Sequence, residues 1–152
     1  MPKSIEADAR TGGAALEGVV YSAEATAPRV AEMGAEISAH YPDREPLLIL
    51  GLLKGSVIFM ADLVREIHRP VTLDFLVASS YGAGTVSSGQ VRLVYDPEAN
   101  LEGQHVILVE DIVDSGRTLT YLRTMLSARH PASLQICALV RKPDRLKTDL
   151  PI

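Results

Sequence analysis

Directly after the apolar run 106–109 stand Glu110 and Asp111, and past Ile112 and Val113 come Asp114, Ser115, Gly116, Arg117 and Thr118. This order suits the holding of a sugar phosphate. Residues 115–118 fall where a helix should begin, so backbone N–H groups and the Ser115 and Thr118 hydroxyls can converge on a phosphate that the helix dipole favours. Gly116 lets the backbone come close. Glu110 and Asp111, expected at a strand end with a loop beginning there, are acceptor-only carboxylates. They suit the two hydroxyls of a ribose, or a hydrated magnesium ion bound to them. Helix capping explains one or two of these residues. It does not explain a Glu-Asp pair directly after a buried strand. The Walker A pattern is absent, which disfavours nucleoside triphosphate hydrolysis.

The elements that would position these residues follow from periodicity. From Thr26 to His40, Val30, Met33 and Ile37 keep helical spacing, with Pro28 expected in the first turn rather than the interior. Residues 47–53 are continuously apolar and read as a strand buried on both faces. Val57, Met60, Ala61, Val64 and Ile67 then switch to helical spacing, and Pro70 ends the unit. Residues 73–79 read as another buried strand and 90–95 as an alternating one. Between them Gly82, Gly84 and Gly89 alternate with Ser and Thr in a loop expected to be mobile. The strand 106–109 precedes a helix with Leu119, Leu122 and Leu126 on one face. Residues 134–140 read as a last buried strand, and 141–147 as a basic exit. Strands alternating with helices indicate α/β with a largely parallel sheet, in which ligands sit beyond the carboxyl ends of the strands.

Composition narrows the class. With 152 residues, 47% of them hydrophobic, the chain suits one globular domain, 16–152, behind an N-terminal tail, 1–15, expected to be flexible. A net charge of −4 gives no basic field for nucleic acid or anionic lipid, so neither is expected as a partner. Residues 47–53 are the longest apolar stretch, far short of a membrane span, and residues 1–13 carry no apolar signal core. The lone Cys137, in an apolar run, reads as a buried thiol in a reducing cytoplasm rather than a nucleophile. His40, His68, His105 and His130 lack metal-ligand spacing and read as surface or capping residues. Lys54-Gly55-Ser56 suits a helix-start anion site, with a solvated strand end as the alternative.

The run VILVEDIVDSGRTL at 106–119 resembles the phosphoribosyl pyrophosphate (PRPP) signature of type I phosphoribosyltransferases, in its hypoxanthine-guanine form. LLKGSVIFMADLVREI at 52–67 and DFLVASSYGAGTVSSGQVRLVYD at 74–96 resemble the same family, in the same order. The resemblance implies the type I phosphoribosyltransferase fold: a largely parallel twisted sheet flanked by helices, with a flexible active-site loop at about 80–90. It implies that Glu110 and Asp111 hold the ribose hydroxyls, and Mg2+ indirectly through ribose or water. Ser115, Gly116, Arg117 and Thr118 would hold the 5-phosphate. Asp114 would stand beside purine N7 and take the proton lost as N9 attacks C1 of the ribose. Lys54 and Gly55, after a nonproline cis peptide, would hold pyrophosphate, with Arg145 reaching it by looser analogy. Ser80 and Tyr81 would begin the loop that closes over PRPP and excludes water. Lys142 would donate to O6 and select 6-oxopurines over adenine.

The implied activity is magnesium-dependent transfer of 5-phosphoribosyl from PRPP to hypoxanthine or guanine in cytoplasmic purine salvage, by a homo-oligomer, dimer or tetramer. The alternatives are transfer to xanthine or adenine, and a noncatalytic nucleotide- or RNA-binding regulator on the same fold. Family members continue past the position matching Ile152 into a hood segment with a purine-stacking aromatic and a second metal-binding Asp. That segment has no counterpart here and is expected to be truncated.

Overall fold

The computed structural model of the protein describes residues 12–14, 16–42, 44–80 and 91–152. In chain order these form α1 (Ala23–His40), β1 (Leu47–Leu53), α2 (Val57–Glu66), β2 (Thr72–Ser80), β3 (Val91–Tyr95), β4 (His105–Val113), α3 (Arg117–Ser127) and β5 (Ser133–Arg141), followed by a 3-10 turn, Pro143–Arg145. The five strands form one sheet in the order β3-β2-β1-β4-β5. Every pairing is parallel except β2 with β3, which is antiparallel. This is the expected α/β class.

The continuously apolar β1 sits at the centre because both its faces are covered. Leu48, Leu50 and Leu52 pack on one side with Val106 and Leu108 of β4 and Leu119, Leu122 and Leu126 of α3. Leu47 and Ile49 face the other way, onto Val30 and Met33 of α1 and Phe59, Met60 and Leu63 of α2. Alternation along the strand divides one apolar run between two cores. Each of these side chains contributes roughly 1.5–3 kcal/mol by leaving water, which fixes β1 and β4 as the rigid middle of the molecule.

Several boundaries differ from those read in the sequence. Helix α1 begins earlier, because the Ser22 side chain accepts from Ala25 N–H and caps it there. Pro28 therefore lies inside the helix rather than in its first turn. Strand β4 does not stop at Val109 but runs through Glu110 and Asp111 to Val113, paired with β5 to its end. The strands expected to be buried beside it are less so. In β5 only Ile136 is buried, because β5 is an edge, and Leu73 of β2 is 46% exposed. Among the described residues, no helix is long and apolar enough to cross a membrane. The expected tail falls outside the described residues apart from 12–14, and so does the expected mobile loop, about 80–90, apart from Ser80.

Candidate active site

Because β1, β4 and β5 are parallel, the segments after Leu53, Val113 and Arg141 emerge at the same end of the sheet. There they enclose a cleft of about 300 Å³ whose walls include Leu52, Leu53, Gly55, Ala78, Thr118, Leu119 and the whole of 110–116. Of the residues singled out in the sequence, Glu110, Asp111, Asp114, Ser115, Gly116, Thr118 and Gly55 line it.

The two carboxylates are held by their own backbone. Asp111 N–H donates to Glu110 Oε1 at 3.0 Å, and Ile112 N–H donates to Asp111 Oδ1 at 2.7 Å. Gly55 is packed so closely that a Cβ there would overlap the Asp111 carboxylate. Any side chain at 55 would have to displace the acid on β4. Burial pushes the Glu110 carboxyl up to about 8, the side-chain hydrogen bond to Asp111 and the Asp111 charge push the same way, and the Asp111 backbone N–H pulls against them. Glu110 is therefore inclined to hold a proton near neutrality.

The turn from β4 into α3 passes through Gly116, whose φ of 77° lies in the left-handed region. Its carbonyl accepts from Thr120 N–H and Thr120 Oγ1, each at 2.9 Å, which ties the turn to the helix. The first-turn N–H groups of α3 have no intrahelical partners and present a positive dipole end to the cleft. Carboxylates at a strand end, a left-handed glycine and an open helix start thus share one cavity, in the order the sequence motif sets out. Residues 19–150 match the family of the phosphoribosyl transferase domain.

The chain belongs to the phosphoribosyltransferase family. It is 44% identical to the hypoxanthine phosphoribosyltransferase of Haemophilus influenzae, over 82% of this chain and 70% of that protein. To the hypoxanthine-guanine phosphoribosyltransferase of Mycobacterium avium it is 46% identical, over 85% of this chain and 66% of that one. A crystal structure of a hypoxanthine phosphoribosyltransferase from Staphylococcus aureus superposes with a TM-score of 0.83 at 36% identity, covering 89% of this chain and 73% of the other.

The other described residues expected from the resemblance to phosphoribosyltransferases are not part of the cleft lining. The Leu53–Lys54 peptide bond is cis. Lys54 is exposed, and the buried Ser56 hydroxyl donates to Leu52 O at 2.7 Å, which spends it on the turn. Arg117 is the first residue of α3 and exposed. Lys142 is exposed directly after β5. Arg145 stands with its Nε 2.9 Å from Asp114 Oδ1. Ser80 closes β2, while Tyr81 lies outside the described residues.

Among the described residues, no three His, Cys, Asp or Glu side chains could cage a metal together. Mg2+ does not require such a cage, since it takes one or two carboxylates and completes its shell with water and substrate oxygens. Glu110 and Asp111, open to the cleft, fit that donor set.

Two features went unread in the sequence. His105 is half-buried rather than a surface residue. Its Nδ1 contacts Ser133 Oγ at 2.7 Å and its Nε2 contacts Glu45, a polar tie at the amino ends of β4 and β5. A larger groove, about 780 Å³, lies between α1 and β5 and contains none of the expected site residues. Cys137 lines it, and burial pushes its thiol up to about 12, which suits an inert residue.

Proposed function

We propose that the protein transfers the 5-phosphoribosyl group of PRPP to N9 of hypoxanthine or guanine, giving IMP or GMP and pyrophosphate. The observation that carries this reading is the shared cleft, in which Glu110 and Asp111, the 114–118 turn and Gly55 meet, in a chain 44% identical to a hypoxanthine phosphoribosyltransferase. The N–H groups and hydroxyls of 115–118 bind the 5-phosphate. Glu110 and Asp111 accept from the ribose 2- and 3-hydroxyls, which fixes C1 between the base and the departing pyrophosphate. Lys54, with the Gly55 backbone, draws the pyrophosphate charge. Asp114 accepts the purine proton as N9 attacks, and Lys142 donates to O6, which adenine cannot accept. Mg2+, held by Glu110 and Asp111 through ribose or water, supplies charge neutralisation of the leaving pyrophosphate. We place the protein in the cytoplasm, a setting that suits the free Cys137 thiol.

Pyrophosphate release with Mg-PRPP and each of hypoxanthine, guanine, xanthine and adenine tests this. Release is expected with the first two and not with adenine. Release with adenine alone overturns the base assignment, and none with any base overturns the activity.

The contact between Gly55 and Asp111 yields a narrower expectation. Gly55→Ala should push the Asp111 carboxylate off its position and weaken Mg-PRPP binding about tenfold, with little change in thermal midpoint, since a misplaced binding group costs orientation rather than fold. Calorimetric titration reads it, and unchanged affinity would remove Asp111 from the ribose site.

A further inference from the structure

The chain leaving β5 doubles back over the turn between β4 and α3. Lys142 N–H donates to Val113 O at 2.9 Å, and Lys147 N–H donates to Ser115 O at 3.0 Å. Between these bonds Arg145 Nε stands 2.9 Å from Asp114 Oδ1. At Gly116 a Cβ would overlap Thr148 Oγ1 and come within 3.0 Å of Leu146 Cδ1. Each residue from Val113 to Gly116 therefore has a counterpart in the returning segment. Leu150, 5% exposed, anchors its far end in the core beneath α3.

We propose that residues 142–150 form a strap that sets the shape of the phosphate turn, with Leu146 and Thr148 as positioning residues. The inference rests on the reading of 115–118 as the 5-phosphate site. A glycine at φ 77° gives the turn its conformation and also the most freedom to leave it. Packing against its Cα removes that freedom during folding, so the N–H directions are set before the ligand arrives and binding does not have to order them. Volume is what acts at Thr148. Its Oγ1 is buried and has no hydrogen-bond partner among the described residues, so the hydroxyl contributes contact and no bond. The Arg145–Asp114 pair adds less, because its side chains are 67% and 45% exposed.

Calorimetric titration of the full chain with Mg-PRPP and with ribose 5-phosphate, below each variant's thermal midpoint, tests the strap. Leu146→Ala and Thr148→Ala should weaken both ligands about tenfold, and Thr148→Val, which keeps the volume, should restore affinity to within twofold. Met33→Ala, a core cut under α1, should lower the midpoint and leave both affinities alone. Ser115→Ala and Thr118→Ala report on the underlying reading. If neither weakens binding, the phosphate site is elsewhere and the strap's role falls with it. If they do while folded Leu146→Ala and Thr148→Ala do not, the strap alone is overturned. A loss in Thr148→Val equal to that in Thr148→Ala would assign the effect to the hydroxyl and overturn the packing account.

Discussion

Asp114→Asn should lower kcat for 6-oxopurine transfer about a hundredfold to a thousandfold, while the thermal midpoint and the affinity for Mg-PRPP stay close to those of the parent chain. The purine must shed a proton as its N9 bonds to C1, and a positioned carboxylate acting as general base contributes roughly 10²–10⁴ in rate. An amide of the same shape cannot accept that proton. Asp114 lies in the cleft wall beside the phosphate turn. Its side chain pairs with Arg145, and both partners are substantially exposed, so the loss of that pair should cost under about 1 kcal/mol of stability. The loss therefore falls on kcat and not on folding or sugar binding. Steady-state pyrophosphate release, with calorimetric PRPP binding on the same samples, separates the two. Parental kcat in Asp114→Asn would mean that the proton leaves by another route. A matching loss of PRPP affinity would mean that Asp114 holds the turn rather than the proton.

How much of this was legible in the residues depended on whether one local pattern had one structural outcome. Residues 47–53 could hardly be anything but a strand covered on both sides, and Leu119, Leu122 and Leu126 occur at helical spacing and do form the buried stripe of α3. The turn motif was legible because its chemistry is local: hydroxyls and a glycine at a helix start serve an anion wherever the helix goes. Boundaries were harder. Glu110 and Asp111 read as the beginning of a loop because acids are rare in strands, yet β5 continues to pair with β4 alongside them, and tertiary pairing overrides the propensity. Residues 134–140 read as buried because apolar runs do not announce an edge position. The strap was invisible for a related reason. Nothing in Leu146 or Thr148 points to Gly116, and the contact exists only because β5 returns the chain to the end of β4.

The acid pair should make sugar binding depend on pH. Affinity for Mg-PRPP should rise about fiftyfold between pH 6 and pH 8. In the free protein burial, and then Asp111, hold Glu110 at about 8. A carboxyl that accepts from ribose hydroxyls must be ionised, so below that value binding has to expel a proton, at a tenfold cost per unit of pH. The ionised fraction grows from about one in a hundred at pH 6 to one half at pH 8, which gives the fiftyfold figure. PRPP has its own phosphate titration in this range. The decisive quantity is therefore the difference between the parent and Glu110→Gln, whose affinity should follow the ligand alone. Stability of the ligand-free chain should run the opposite way. Because the folded value lies above the ordinary 4.5, the folded state holds the proton more tightly. Its contribution is complete below about pH 4.5 and is lost as pH rises through about 8. Thermal midpoints of the free protein should thus decline across that window relative to Glu110→Gln, while PRPP affinity climbs. Calorimetry in buffers of different ionisation heat should find close to one more proton released at pH 6.5 than in the variant. If parent and variant share the same pH slope for binding, Glu110 enters the site already ionised, and the proton on the acid pair plays no part in capturing the sugar.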